Sequence, residues 1–273
     1  MRVLLAYFSA TGNTAKMAEV IKERFEELGA EIEELDITVP SKRRKPVDIA
    51  PYDAFLFGIP VHSNRAPKIV REWLKPLDGK GKKCSTFFTY GGFGVHPSHL
   101  STKEILEAQN FVVVSSAEFL GKHTFNLGGW RALEERPNDQ DFDVAKEYVD
   151  KTYRRFTGED TSLIGELERS DHTEEELDNF ENFRFMAVTQ LPSRMGKECS
   201  MCMQCEDLCP AGAFDASIGE ADKDKCIVCL RCVDICPEKV ISINDLSQIW
   251  PMKLKMENET EETIKEKKSK IYL

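Results

Sequence analysis

Eight of the nine cysteines in this 273-residue chain fall in two short runs near its C-terminal end. The first run is Cys199, Cys202, Cys205 and Cys209, closed by Pro210, and the second is Cys226, Cys229, Cys232 and Cys236, closed by Pro237. Each reads C-x2-C-x2-C-x3-C-P, and the copies stand 27 residues apart. That spacing is the bacterial one for iron–sulfur ligation. Three thiolates two residues apart can wrap three corners of a cubane, and the fourth, followed by proline, points elsewhere. A zinc ribbon uses two C-x2-C pairs and has no use for a third cysteine or a closing Cys-Pro. Disulfides need an oxidising compartment. A [3Fe–4S] centre would show one cysteine of a triplet replaced, and none is.

A second group of residues with chemical promise lies at the other end. Ser9, Thr11, Gly12, Asn13 and Thr14 form a loop of small and hydroxylic residues between an apolar run, residues 2–8, and a segment with Met17, Val20, Ile21, Phe25 and Leu28 at helical spacing. The run reads as a strand buried on both faces, and Gly29 reads as the stop of the helix. A helix start offers unsatisfied N–H groups and a favourable dipole to a phosphate. The loop contains no Lys or Arg, so its donors are neutral, which suits a phosphate monoester such as that of FMN better than a triphosphate. It matches neither the P-loop nor the dinucleotide fingerprint. Residues 54–59 and 85–89 read as further buried strands, each running into a loop: Pro60, Val61, His62, Ser63 after one, and Tyr90, Gly91, Gly92, Phe93, Gly94 after the other. Helices are expected at 68–77, 98–109 and 142–156, with an edge strand at 31–37 and a buried strand at 111–116. Strands alternating with helices imply a parallel sheet covered on both faces, with ligands beyond the carboxyl ends of its strands.

With those loops in place, residues 1–157 resemble flavodoxin, and residues 196–245 resemble bacterial two-cluster ferredoxins. The first resemblance implies a doubly wound five-stranded parallel α/β sheet that binds FMN. It implies that Ser9, Thr11, Gly12, Asn13 and Thr14 hold the phosphate, that Pro60, Val61, His62 and Ser63 face one side of the ring, and that Tyr90, Gly91, Gly92, Phe93 and Gly94 border the other. The chain departs from that pattern in lacking the ring-stacking Trp (His62 stands near its place) and in lacking acidic residues in the later loop. The second resemblance implies a small α+β domain and an exchange of fourth ligands. Cys199, Cys202, Cys205 and Cys236 then hold one [4Fe–4S] cluster, and Cys209, Cys226, Cys229 and Cys232 hold the other. The whole resembles flavodoxin–ferredoxin fusion proteins.

The remaining segments are expected to serve these halves. Residues 158–195 form an acidic linker, read as a solvated helix or tether, but Phe180, Phe183, Phe185, Met186 and Val188 need a surface to cover. Residues 246–273 read as a charged tail, helical or frayed. Trp73 and Cys84 read as core, and His96 and His99 as surface residues at a helix start. The long segment 118–140, with His123 and Trp130, would cover the flavin or shape a pocket.

A net charge of −10 argues against nucleic acid and suits docking of a redox protein. No apolar run is long enough to span a bilayer, no signal peptide is recognised, and cysteines committed to clusters imply a reducing cytoplasm and an anaerobic host. The expected function is electron relay between the clusters and FMN, and on to a partner protein. The alternatives are an FMN-dependent reductase of a small acceptor, fed by the same clusters, and a regulatory or assembly protein whose flavodoxin fold is only a docking surface. Were the two halves too far apart in one chain, a homodimer would bring the clusters of one subunit to the flavin of the other.

Overall fold

The computed structural model describes residues 1–273 apart from the side chains of residues 183–187. The elements run β1 (Arg2–Tyr7), α1 (Asn13–Glu27), β2 (Glu31–Asp36), α2 (Pro40–Arg43), β3 (Ala54–Pro60), α3 (Lys68–Leu74), β4 (Lys83–Tyr90), α4 (His96–Ala108), β5 (Val112–Leu120), α5 (Asp139–Thr157) and α6 (Glu174–Ala187). The cysteine-rich part adds α7 (Gln204–Asp207), a hairpin of β6 (Phe214–Asp215) and β7 (Glu220–Ala221), and α8 (Arg231–Asp234). The chain ends in α9 (Trp250–Met256), α10 (Glu261–Lys265) and β8 (Lys270–Tyr272).

The main sheet has the order β2-β1-β3-β4-β5-β8. Its first five strands are parallel, which is the flavodoxin-like α/β fold expected. Alternation along each strand divides the core in two. Val3, Leu5 and Leu56 pack with Met17, Ile21 and Phe25 of α1 and Tyr148 of α5. Leu4, Phe55 and Phe57 pack with Val70 and Trp73 of α3 and Leu106 of α4. Trp73 and Cys84 are core residues. Asn138 and Asp141 form a capping box at the start of α5, which fixes that helix against β5.

The expectation for the tail is corrected. The tail is neither a free helix nor a frayed end. It supplies α9, α10 and β8, and β8 pairs antiparallel with β5 as a sixth strand. Ser269 fastens it: its Oγ accepts from the Leu120 amide at 3.1 Å and donates to Asp141. The acidic linker packs on the sheet domain, as its apolar residues lead one to expect, and does so largely through its charges. Arg65, only 1% exposed, pairs with Glu174 at 2.7 Å, with Asp178, and with Glu181 at 3.2 Å. These acids recur every three or four residues, so they share one face of α6. Arg71 adds a second hold on Glu181 at 2.6 Å. Val188 packs on the core, whereas Phe180 is exposed; Phe183, Phe185 and Met186 lie outside the described side chains.

His99 is not a surface residue. It is buried between Phe88 and Tyr272, with ring centroids at 4.8 and 4.4 Å. Its Nε2 meets Oε2 of Glu118 at 3.2 Å, and Glu118 is fully buried on β5. The Tyr272 hydroxyl donates to the same oxygen at 2.7 Å and Tyr90 to the other at 3.3 Å. A buried carboxylate survives only when its lone pairs are met, so the tail's last strand is what lets an ionised Glu118 occupy the sheet interior. Replacing Tyr272 with Phe should destabilise the sheet domain by about 1–3 kcal/mol, the cost of an unmet buried acceptor. Deleting residues 269–273 should cost more. Denaturant midpoints of both variants, followed by circular dichroism, check this.

Candidate flavin and iron–sulfur sites

The loop from β1 to α1 is shaped by its own side chains. Ser9 is buried; its amide donates to Thr38 Oγ1 at 2.9 Å and its Oγ accepts from the Ala15 amide at 3.0 Å. The Thr14 hydroxyl pairs with that of Thr89 on β4 at 2.7 Å. Asn13 Nδ2 donates to the Lys122 carbonyl at 2.8 Å. Gly12 sits at φ 92° with open space where a side chain would stand. Three of the five candidate residues thus build the loop, and Thr11 and Gly12 leave it open to a ligand at the start of a 15-residue helix. This fits a phosphate held by backbone N–H groups.

The two loops expected to flank a ring meet at their tips. Ser63 and Asn64 both adopt left-handed φ, at 48° and 68°, inside a tight turn closed between His62 and Arg65. Val61 donates its amide to the Thr89 carbonyl at 2.9 Å, tying the first ring loop to β4. Gly94 faces the Asn64 side chain so closely that a Cβ would collide with it. Gly91 is equally constrained, by the His123 ring. The Tyr90 side chain is buried and turns to Glu118 in the sheet, and burial together with that carboxylate pushes its phenol above the ordinary range.

Sequence reasoning gave His123 and Trp130 a covering role but missed the tail's share in covering these loops. Phe93 packs edge-on to Trp130 and Trp250, with centroids at 6.2 and 6.1 Å. Trp130 lies against His123 at 4.8 Å and is 4% exposed, and its indole Nε1 is buried with no hydrogen-bond partner. A buried donor left unmet is costly, and here it stands beside the loop expected to border a flavin. Lys267 donates to the Gly92 carbonyl at 2.7 Å, and Lys253 and Lys267 stand 4.9 and 5.8 Å from the Phe93 ring centre. The segment after β5 therefore covers the ring loops, in company with the tail.

The two cysteine runs repeat in conformation as well as in sequence. Met201 and Val228 have φ of 57° and 50°, and Met203 and Leu230 have φ of 61° and 55°, at matching positions of the two copies. Left-handed backbone at a β-branched residue such as Val228 is strained. A cluster gripped from several sides is a group that can hold such a loop. The thiols fall into two sets by electrostatic contact: Cys205 feels Cys202 and Cys236, and Cys232 feels Cys229, Cys226 and Cys209. Cys199 accepts from Arg194 Nη1 at 3.0 Å. Among the described residues no three or more His, Cys, Asp or Glu close around a single ion. A cubane does not ask for that, since each of its thiolates binds a different iron.

Burial pushes the Cys229 thiol up to about 12 and raises Cys205. A bound cluster would supply the positive charge that lets these thiols lose their protons. Burial also opposes ionisation of Cys236, but backbone N–H groups of residues 238–241 outweigh it and lower its pKa. Such donors would stabilise a thiolate that binds iron.

The cysteine-rich part is seated on the carboxyl end of the sheet. Val228, Cys229 and Leu230 are buried in one core with Phe8, Ala10, Ile59, Tyr90 and Val95. Arg231 Nη1 donates to the carbonyls of Ser9 at 3.1 Å and Ala10 at 2.9 Å. Arg43 donates to the Pro210 carbonyl.

Residues 4–105 match the model of a flavodoxin domain, and residues 220–242 match that of a 4Fe-4S binding domain. Similar solved structures include a flavodoxin from the domain Archaea, 17% identical over 57% of this chain and 99% of that one, with a TM-score of 0.44. Oxidised flavodoxin 1 from Bacillus cereus is 20% identical over 56% of this chain and 98% of its own, with a TM-score of 0.44. Rubredoxin oxygen:oxidoreductase from the anaerobe Desulfovibrio gigas is 19% identical over 57% of this chain and 36% of its own, at 0.42. No curated protein matches the chain. The chain carries a flavodoxin-like domain at its N-terminus and a 4Fe-4S ferredoxin-type domain at its C-terminus. The first implies flavin and the second an iron–sulfur cluster, a combination that indicates electron transfer. No helix among the described residues is long and apolar enough to cross a membrane.

The buried pair beside Tyr90 sets a pH dependence. Burial holds His99 below its ordinary value, against the pull of Glu118, and His96 and Lys270 act in the same direction as burial. Burial opposes ionisation of Glu118 as well, but the bonds from His99 and Tyr272 outweigh it and hold its pKa low. Below pH of about 6.5 the unfolded chain binds a proton at His99 that the folded chain refuses, so stability falls as pH is lowered through that value. Below about 4.5, Glu118 adds to the loss. Unfolding midpoints measured from pH 8 to pH 5 should decline, and His99→Gln should flatten the decline.

Proposed function

We propose that the protein is an electron-transfer flavo-iron–sulfur protein in which two [4Fe–4S] clusters and one FMN form an internal chain that serves a redox partner protein. The observation that carries this is the seating of the second cysteine run on the FMN loops, through Val228, Cys229 and Leu230 in the shared core and Arg231 on the Ser9 and Ala10 carbonyls. Cys209, Cys226, Cys229 and Cys232 would hold the cluster nearer the flavin; Cys199, Cys202, Cys205 and Cys236 would hold the outer one. FMN exchanges one or two electrons, whereas each cluster exchanges one, so the pair couples single-electron to two-electron partners. Thr11, Gly12 and the backbone N–H groups up to Thr14 would hold the phosphate. Pro60–Ser63 and Gly91–Gly94 would flank the ring, with Trp130 and Trp250 excluding water on the side of the later loop. Cys202 is exposed, so the outer cluster offers a port for a partner. Because the contact forms within one chain, no homodimer is needed to complete it. The assignment to flavodoxin–ferredoxin fusion proteins, and a reducing, anaerobic cytoplasm, accord with this reading.

One observation favours the reductase alternative. A cleft of about 500 Å3 lies between the first ring loop and the second cysteine run, lined by His62, Ile69, Lys223, Cys226 and Ile227. A small acceptor there would stand beside both redox groups.

Anaerobically reconstituted protein should bind one FMN and two [4Fe–4S] clusters per chain. On mixing with dithionite in stopped flow, bleaching of the clusters should precede bleaching of the flavin. Cys202→Ser should spare flavin reduction by the inner cluster, and Cys232→Ser should slow it more than tenfold, since every electron would have to cross the vacant site. Protein that bound no FMN, or whose reduced clusters left the flavin oxidised, would overturn the proposal. Saturable turnover of a quinone or nitro compound without a protein partner would favour the reductase.

A further inference from the structure

Arg231 occupies a position in the second cysteine run that Gln204 occupies in the first. The repeat is otherwise matched in its left-handed residues and its short helices. The substitution therefore marks a role that belongs to one run alone. Arg231 is partly buried, and its Nε is buried without a hydrogen-bond partner. The bonds from Nη1 to Ser9 and Ala10 are thus prominent among the contacts that offset removing this charge from water. Both acceptors are carbonyls of the loop expected to hold phosphate. A peptide unit is planar and trans, so its carbonyl and the N–H that follows point in opposite directions. Fixing the carbonyls of Ser9 and Ala10 on Arg231 therefore turns the N–H groups of Ala10 and Thr11 to the opposite side of the loop.

We propose that Arg231 is a positioning residue that couples FMN binding to docking of the inner iron–sulfur cluster; this rests on the electron-transfer reading above. It presets the loop's peptide planes for the phosphate and, with the same two bonds, holds the cluster-bearing run on the loop. A loop ordered by FMN presents both carbonyls in place, and a docked Arg231 presents the N–H groups in place. Each event therefore favours the other, and the coupling is reciprocal.

The test uses the full chain with both clusters assembled. FMN affinity is measured by fluorescence quenching, iron by colorimetric assay, and cluster-to-flavin transfer by stopped flow, in wild type, Arg231→Gln and Arg231→Lys. Arg231→Gln should retain its iron, weaken FMN binding about tenfold, as loss of charge-assisted bonds does, and slow internal transfer. Arg231→Lys, whose ammonium can reach a carbonyl, should recover part of both. An Arg231→Gln protein with full iron content and wild-type FMN affinity and transfer rate would overturn the inference. Should Arg231→Gln lose iron, Arg231→Lys decides: intact clusters with weakened FMN binding and slowed transfer support it, and wild-type values for both overturn it. Wild-type protein that binds no FMN would overturn the parent reading instead, so the two failures are told apart.

Discussion

The seating of Val228, Cys229 and Leu230 among the side chains at the carboxyl end of the sheet is the contact on which the rest depends. A ferredoxin-type domain this small has a thin core of its own, chiefly Phe214, Ile241 and buried cysteines. Its backbone carries left-handed residues at two matching positions in each cysteine run, each of which costs free energy unless something holds it. Cluster bonds can hold the loops, and burial against the larger domain then fixes where the loops sit. Electron transfer falls off steeply with distance, so this apolar contact decides function as well as stability. An interface held only by surface ion pairs would be worth little and would weaken with salt.

The sheet domain is completed from the far end of the chain. β8 covers the edge of β5, and an exposed Lys270 on that new edge discourages further strand pairing. The same strand brings Tyr272 to Glu118, while α10 brings Ile264 against Gly92. Because the tail follows the cysteine runs in sequence, its docking closes the chain into a loop with the iron–sulfur part held inside. The ferredoxin-type domain is thereby anchored on both sides, by α6 on Arg65 and Arg71 before it and by α9, α10 and β8 after it.

Much of this was legible in the sequence because it is local. The cysteine spacing, the small-residue loop before α1 and the continuous apolar strands each declare themselves within a few residues. What escaped notice depends on pairs far apart. Tyr272 and Glu118 are 154 residues apart, and Arg231 and Ser9 are 222 apart. His99 follows Pro97 at a helix start and looks like a surface residue until Tyr272 covers it. Arg65 looks like an exposed loop cation until α6 buries it. Tyr90 opens an aromatic, glycine-rich loop that resembles a ring border, yet an acid two strand positions along on the neighbouring strand draws it into the sheet. The one local clue passed over was the asymmetry of the repeat, Gln204 against Arg231.

Charge is unevenly distributed around the candidate sites. The protein as a whole is acidic, with a net charge of −10, yet the loop after β4 has no acid of its own and receives Lys253 and Lys267 from the tail. Lys267 is held there by Glu259 at 2.6 Å and by the Gly92 carbonyl. Positive charge beside a group that gains electrons stabilises its reduced form, and screening by water is weakest where Phe93, Trp130 and Trp250 exclude it. Cys236 shows the same effect on the outer set, where backbone N–H groups ease the charge on a thiolate. The buried Cys229 and Cys232 thiols show the opposite, since burial there opposes negative charge.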